Sequence, residues 1–195
     1  MKQTVVMLLY DDVEVLDFAG PFEVFTIANE HRGYALFDFT TVAKDSGPIR
    51  AHNGLSVIPE RSTRDVPEAD VLIVPGGDDI SHVLNDPDLL RWVAKVSEGA
   101  STVLSVCSGS LILAKAGVLD GLRATTHRVD LDELTDLAPN TEIVRGVTYV
   151  DNGKVVTSAG ITAGIDASLH VIEKLYGREL AERTVRSLEY SRRRA

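Results

Sequence analysis

The chain has 195 residues, of which 44% are apolar, a formal net charge of −9 and a single cysteine. That length and apolar content suit one domain around one substantial core, and the acidic balance disfavours a nucleic-acid backbone or an anionic membrane surface as partner. One cysteine excludes an internal disulfide, and with neither a CxxC pair nor Cys and His at ligand spacing along the sequence, no structural metal site is expected.

The first apolar run, Val5 to Tyr10, is far short of the ~20 residues needed to cross a bilayer and lacks the flanks of a signal peptide. A soluble protein of the reducing cytoplasm is the expectation. The segment "TVVMLLY" reads as a first strand, and "DDVEVLDFAGPFEVFTIANEH" after it as a helix. Proline fits only in or near a first turn, so the helix starts either with Gly20 as N-cap and Pro21 at the first position, or earlier with Asp17 as cap.

"ALFDFTTVAK" alternates as a second strand, and "LSVIPERS" is a candidate ribbon beyond it. "ADVLIVPGGDD" is a fully apolar strand ending in Pro75, Gly76 and Gly77. It is followed by a helix with Asp86 as N-cap and Pro87 at its first position. "STVLSVC" and "SGSLILAKAG" repeat the strand-turn-helix pattern, with Gly117 as the stop. Asn152-Gly153 marks a hairpin, and "TAGIDASLHVIEKLYG" carries an apolar helical stripe that stops at Gly177.

Strands alternating with helices predict an α/β three-layer sandwich, a mostly parallel sheet with helices on both faces. Residues 1–190 are read as a single domain and 191–195 as a basic, solvated tail without function. Sites in such sheets gather at the carboxyl ends of strands. Three punctuated ends therefore share one rim: Asp11 to Asp17, Pro75 to Gly77, and Cys107 to Gly109.

Cys107 lies where a buried strand gives way to a helix, the setting of a nucleophile elbow. A helix beginning at Ser108 aims amide groups at the sulfur and is expected to lower its pKa toward neutrality. Asp17 is either a helix cap or an acid/base partner for that thiol. Gly76 and Gly77 are candidate backbone donors to developing negative charge. Ser108 either donates a hydrogen bond or caps the helix, and His127, after Thr125 and Thr126, is as consistent with packing as with substrate binding.

Together "LDFAGPFEVF", "DVLIVPGGDD", "VLSVCSGSLILAKAGVLDG", "ATTH" and "VVTSAGITAGIDASLHVIEKLYG" resemble the ThiJ/PfpI superfamily from the first strand to about Tyr190. The resemblance implies a glutamine-amidotransferase-like, flavodoxin-like fold, a homodimer, a small-molecule substrate, and catalysis without metal or organic cofactor. Ser108 stands where protease and glyoxalase-like members carry a histidine after the cysteine, so a Cys-His dyad of that kind is absent. Asp17 in "LDFAGP" and a hydroxyl residue after the cysteine resemble the isonitrile hydratases, which add water to R–NC and give an N-substituted formamide. That likeness assigns Cys107 as nucleophile, Asp17 as general acid/base and Ser108 as polar neighbour. The chain departs from the hydratase pattern in having Ser rather than Thr after the cysteine, and "SRRRA" in place of a proline-rich tail.

Two other roles are compatible with the same residues. The sequence is similar to the ligand-sensing half of AraC-type regulators, though no helix-turn-helix pair is seen in it, which leaves a small-molecule-binding module. An elbow cysteine beside an acid also suits an oxidative stress sensor.

Overall fold

The computed structural model describes residues 2–66 and 68–193; of the tail expected over 191–195, Arg194 and Ala195 lie outside the described residues. In chain order the elements are β1 Gln3–Leu8, α1 Val15–Glu30, β2 Phe37–Ala43, β3 Ile49–Arg50, β4 Ser56–Val57, β5 Arg61–Ser62, β6 Val71–Val74, α2 Ser81–Leu84 and α3 Pro87–Gly99. They continue with β7 Thr102–Ser105, α4 Gly109–Lys115, β8 Arg123–Ala124, α5 Leu131–Leu137, β9 Glu142–Ile143, β10 Tyr149–Asp151, β11 Val155–Ser158, α6 Ala163–Tyr176 and α7 Arg178–Ser187.

The main sheet runs β10-β11-β7-β6-β1-β2-β5. Every pairing in it is parallel except β10 with β11, the hairpin that turns at Asn152-Gly153. Strands covered on both faces must be apolar throughout, and β6 and β7 are buried along their whole length. Helices α1, α6 and α7 pack together as one layer, and α2 to α5 as another. The three-layer α/β sandwich read from the sequence is the fold. The candidate ribbon is a two-stranded antiparallel pair of β3 with β4, and Arg61–Ser62 joins the edge of the main sheet instead.

Helix α3 starts as its sequence demands: Asp86 accepts from the amides of Asp88 and Leu89 at 3.1 and 3.2 Å, and Pro87 occupies the first turn. Helix α1 departs from expectation. It begins at Val15, so Pro21 lies inside it and neither Gly20 nor Asp17 is the cap. Glu14 takes that place, and its amide donates to the Gly76 carbonyl at 2.9 Å while Val13 bridges to Gly77. A tertiary anchor thus sets the start of the helix. Proline then leaves the carbonyl of Asp17 without its usual i+4 donor.

The order in which strands are added reverses at β1, with β2 laid down on one side and β6 on the other, both parallel to it. The crevice outside such a switch point is where open α/β sheets carry their sites. Here α4 is pressed hard against the end of β6: a Cβ on Gly109 would fall 2.1 Å from the Val74 carbonyl oxygen and 2.9 Å from Pro75. Gly109→Ala is therefore expected to destabilise the fold by about 3 kcal/mol. Gly99→Ala at the end of α3, where nothing lies within 4 Å, should be neutral or slightly stabilising; urea unfolding of the two variants checks the contrast.

Candidate active site

Cys107 follows β7 and precedes α4 with φ of +55°, a left-handed conformation that costs a non-glycine residue about 1–2 kcal/mol. The surrounding chain holds it there. Its amide donates to the Ala159 carbonyl at 3.3 Å, and its own carbonyl accepts from the Ser110 hydroxyl at 3.2 Å and the Thr126 hydroxyl at 2.9 Å. The elbow is real, and the residue is only 8% exposed.

Asp17, in the first turn of α1, is fully buried beside that sulfur. Its Oδ2 accepts from the Gly76 amide at 3.2 Å, Oδ1 has no hydrogen-bond partner among the described residues, and the carboxyl group is close enough to the Cys107 thiol for each to shift the other's titration. Burial pushes this carboxyl from 3.8 up to about 7. The Glu14 charge adds to the rise, while the thiol and the Gly76 amide oppose it by favouring the ionised form.

The thiol overturns an expectation. Rather than approaching neutrality, Cys107 is pushed from 9.0 up to about 12, first by burial and then by the Asp17 charge. The amides of Ser108 and Ile161 work the other way as hydrogen bonds to the sulfur, and Asp130 adds a further small rise. A helix of seven residues, Gly109–Lys115, offers too little dipole to offset desolvation and an adjacent carboxylate. At neutral pH the thiol therefore keeps its proton while the carboxyl is about half ionised, and the pair carries no standing thiolate.

Ser108 caps α4 and is buried. Its hydroxyl accepts from the Gly77 amide at 3.0 Å and donates to the Gly77 carbonyl at 2.9 Å. With the Gly76 amide on Asp17 and the Gly77 amide on Ser108, both glycines are engaged by protein acceptors; they lock the two turns together rather than standing open toward the sulfur. A Cβ on Gly76 would lie 2.6 Å from the Ser108 nitrogen and 2.9 Å from Asp17 Oδ2, so close backbone approach is what requires glycine here.

His127 sits at the rim with its Nδ1 3.9 Å from Asp130 Oδ2. Cys107, His127 and Asp130 each bring one ligand-type atom within 4.8 Å of the others. The distance of Cys107 along the sequence from His127 and Asp130 hid this grouping. The three donors match the residue types that bind zinc but fall short of the four-ligand closed set of a structural site. A Cβ on Gly160 would fall 1.8 Å from His127 Cδ2, so this imidazole rests against bare backbone.

Three contributors went unread in the sequence. Ile161, with φ of +46°, presents an amide from the carboxyl end of β11, the fourth strand end on the rim. Thr126 holds the elbow carbonyl. Tyr10 is buried, donates to the Pro75 carbonyl at 2.7 Å, and has its phenol raised first by burial and then by Asp17 and Cys107. A fourth strand closing in "SAG" ahead of a helix was the available signal for Ile161.

Comparison with known proteins places this geometry. The family model for the DJ-1/PfpI family matches residues 3–174. The chain is 34% identical over 184 residues to an isonitrile hydratase of Pseudomonas putida, covering 94% of this chain and 77% of that protein. It is 32% identical to the HTH-type transcriptional regulator CdhR of Pseudomonas aeruginosa, where the match covers 93% of this chain and 53% of the regulator. A crystal structure of a ThiJ/PfpI family protein from Pseudomonas syringae superposes with a TM-score of 0.88 at 30% identity, over 100% of this chain and 77% of that one. An elbow cysteine at the rim of a mostly parallel sheet, with a buried acid at its side and these matches along nearly its whole length, makes the chain a member of the DJ-1/PfpI family.

Proposed function

We propose that this protein hydrates isonitriles to N-substituted formamides by cofactor-free thiol catalysis, as a cytoplasmic homodimer. The fully buried Asp17 carboxyl beside the Cys107 elbow carries the reading. The 34% identity to an isonitrile hydratase supports it. An exposed apolar face around Phe22 and Ile58 supports self-association, and among the described residues no helix is long and apolar enough to cross a membrane.

An isonitrile carbon is attacked by sulfur and then needs a proton. Asp17 takes the thiol proton as the C–S bond forms and delivers it to that carbon, giving R–N=CH–S–Cys107. Water then adds to the same carbon, giving one proton to the Asp17 carboxylate. Asp17 passes that proton to the nitrogen, and the adduct R–NH–CH(OH)–S–Cys107 collapses to R–NH–CHO as its C–S bond breaks and its hydroxyl proton returns by way of Asp17 to the departing sulfur. A carboxyl poised at about 7 is matched to giving and taking a proton at neutral pH. Ser108 keeps the Gly76-Gly77 turn against the elbow, and His127 lines the approach to the sulfur as a substrate contact.

Purified protein incubated with p-nitrophenyl isocyanide is expected to yield the N-formyl product. Unchanged isocyanide at high enzyme concentration would overturn the assignment. Cys107→Ala should abolish turnover, and Asp17→Asn should lower kcat by roughly 10²- to 10⁴-fold, both read by product chromatography.

Since the working form needs Asp17 ionised to accept the thiol proton, kcat/KM should fall as pH drops through about 7. A pH–rate profile flat from pH 5 to 9 would remove Asp17 from the proton path.

The similarity to a transcriptional regulator, of whose length the match covers about half, favours a second reading as a small-molecule-binding module. Tight ligand retention without turnover, undiminished in Cys107→Ala, would select it.

A further inference from the structure

We propose that Arg193 is a positioning residue for the reactive sulfur: clamped to Asp166 and Thr162, it holds the Ile161 amide against Cys107. This rests on reading Cys107 as the reactive group, and it concerns a segment that the mechanism does not otherwise use.

Residues 191–193, read from the sequence as a solvated tail, fold back onto α6. The Arg192 side chain is buried and bonds Glu173. Arg193 reaches Asp166 twice, its amide donating to Oδ1 at 2.6 Å and its Nε to Oδ2 at 3.1 Å. The Tyr190 hydroxyl adds a third bond to Oδ2 at 3.0 Å. A second nitrogen of the guanidinium, Nη2, donates to the Thr162 hydroxyl at 2.8 Å.

Asp166 is fully buried in the first turn of α6. A buried carboxylate is tolerated only where donors replace its water, and among the described residues the donors to its oxygens come from Tyr190 and Arg193. What that clamp grips is the turn beside the sulfur, which the bond from the Cys107 amide to the Ala159 carbonyl, at 3.3 Å and two residues before Ile161, holds next to the elbow. Thr162 directly follows Ile161, a β-branched residue at positive φ, which is a conformation that persists only when the surroundings over-determine it. The Ile161 side chain is 38% exposed, so burial does not anchor it. Within the turn itself, the bonds from Ala163 to the Gly160 carbonyl and from Gly164 to the Ile161 carbonyl are long, at 3.3 and 3.2 Å. The planar guanidinium, bridging a carboxylate and a hydroxyl, supplies the external restraint that a point charge supplies less well.

The test is the second-order rate of Cys107 alkylation by iodoacetamide at one fixed pH, read beside hydrogen exchange of the Ile161 amide by NMR. Arg193→Gln is expected to slow alkylation about tenfold and to speed Ile161 exchange relative to the amides of β7, with the melting temperature recorded in parallel. Arg193→Lys should restore part of the rate. Alkylation that is unchanged or faster in Arg193→Gln overturns the proposal, since a segment that merely covers the sulfur gives faster reaction when loosened. Should that variant fail to fold, Tyr190→Phe removes a single donor from Asp166. It is expected to slow alkylation to a lesser degree, and an unchanged or faster rate there overturns the proposal equally. No isonitrile enters the assay, so loss of the hydratase reading and loss of this one are separate results.

Discussion

The rim of this sheet depends on a carboxyl group and a thiol buried side by side, the thiol keeping its proton at neutral pH while the carboxyl lies at the midpoint of its own titration. Asp17 is held by the Gly76 amide on one oxygen, and its other oxygen has no hydrogen-bond partner among the described residues. Cys107 is raised by the same burial and by the carboxylate itself. Reactivity in this arrangement does not come from a standing anion. It comes from an acceptor already in contact with the proton that must leave, with the Ser108 and Ile161 amides ready to meet the charge that appears on sulfur.

The geometry that permits this is strained, and the strain is met by close backbone packing. Cys107 and Ile161 both adopt positive φ, and they face each other across the site from the ends of β7 and β11. Gly76, Gly109 and Gly160 allow the turn after β6, the start of α4 and the His127 ring to approach where any side chain would collide. The apolar strands beneath supply the rigidity: each fully buried Val, Leu or Ile of β1, β6 and β7 contributes roughly 1.5–3 kcal/mol. A few kcal/mol of local strain at the rim is affordable against such a core.

Much of this was legible in the residues. Alternating strand and helix patterns gave the sandwich, Asp86-Pro87 marked the start of α3, and three strand ends pointed to one rim that does bring Asp17, Gly76, Gly77, Cys107 and Ser108 together. What escaped was set by contacts distant in sequence. Pro21 pointed to a later helix start because local rules hold no knowledge of the Glu14 amide reaching Gly76. The two glycine amides read as open donors because their acceptors lie on α1 and beside the elbow. The thiol was expected near neutrality because a helix start is visible in sequence, whereas burial beside a carboxylate is not. Ile161 contributes through backbone alone, which leaves no side-chain signature.

The elevated Asp17 carboxyl has an outcome for the molecule as a whole. An unfolded chain releases this proton near 3.8 and the folded one near 7, so between those values the native state binds the extra proton. Through this group, conformational stability is fully present below about pH 4 and is lost as pH climbs through about 7, by about 4 kcal/mol in all. The ionised carboxylate that readies the sulfur is the form the fold tolerates least, so mild acid firms the molecule while silencing it, and alkaline conditions awaken it at the expense of its durability.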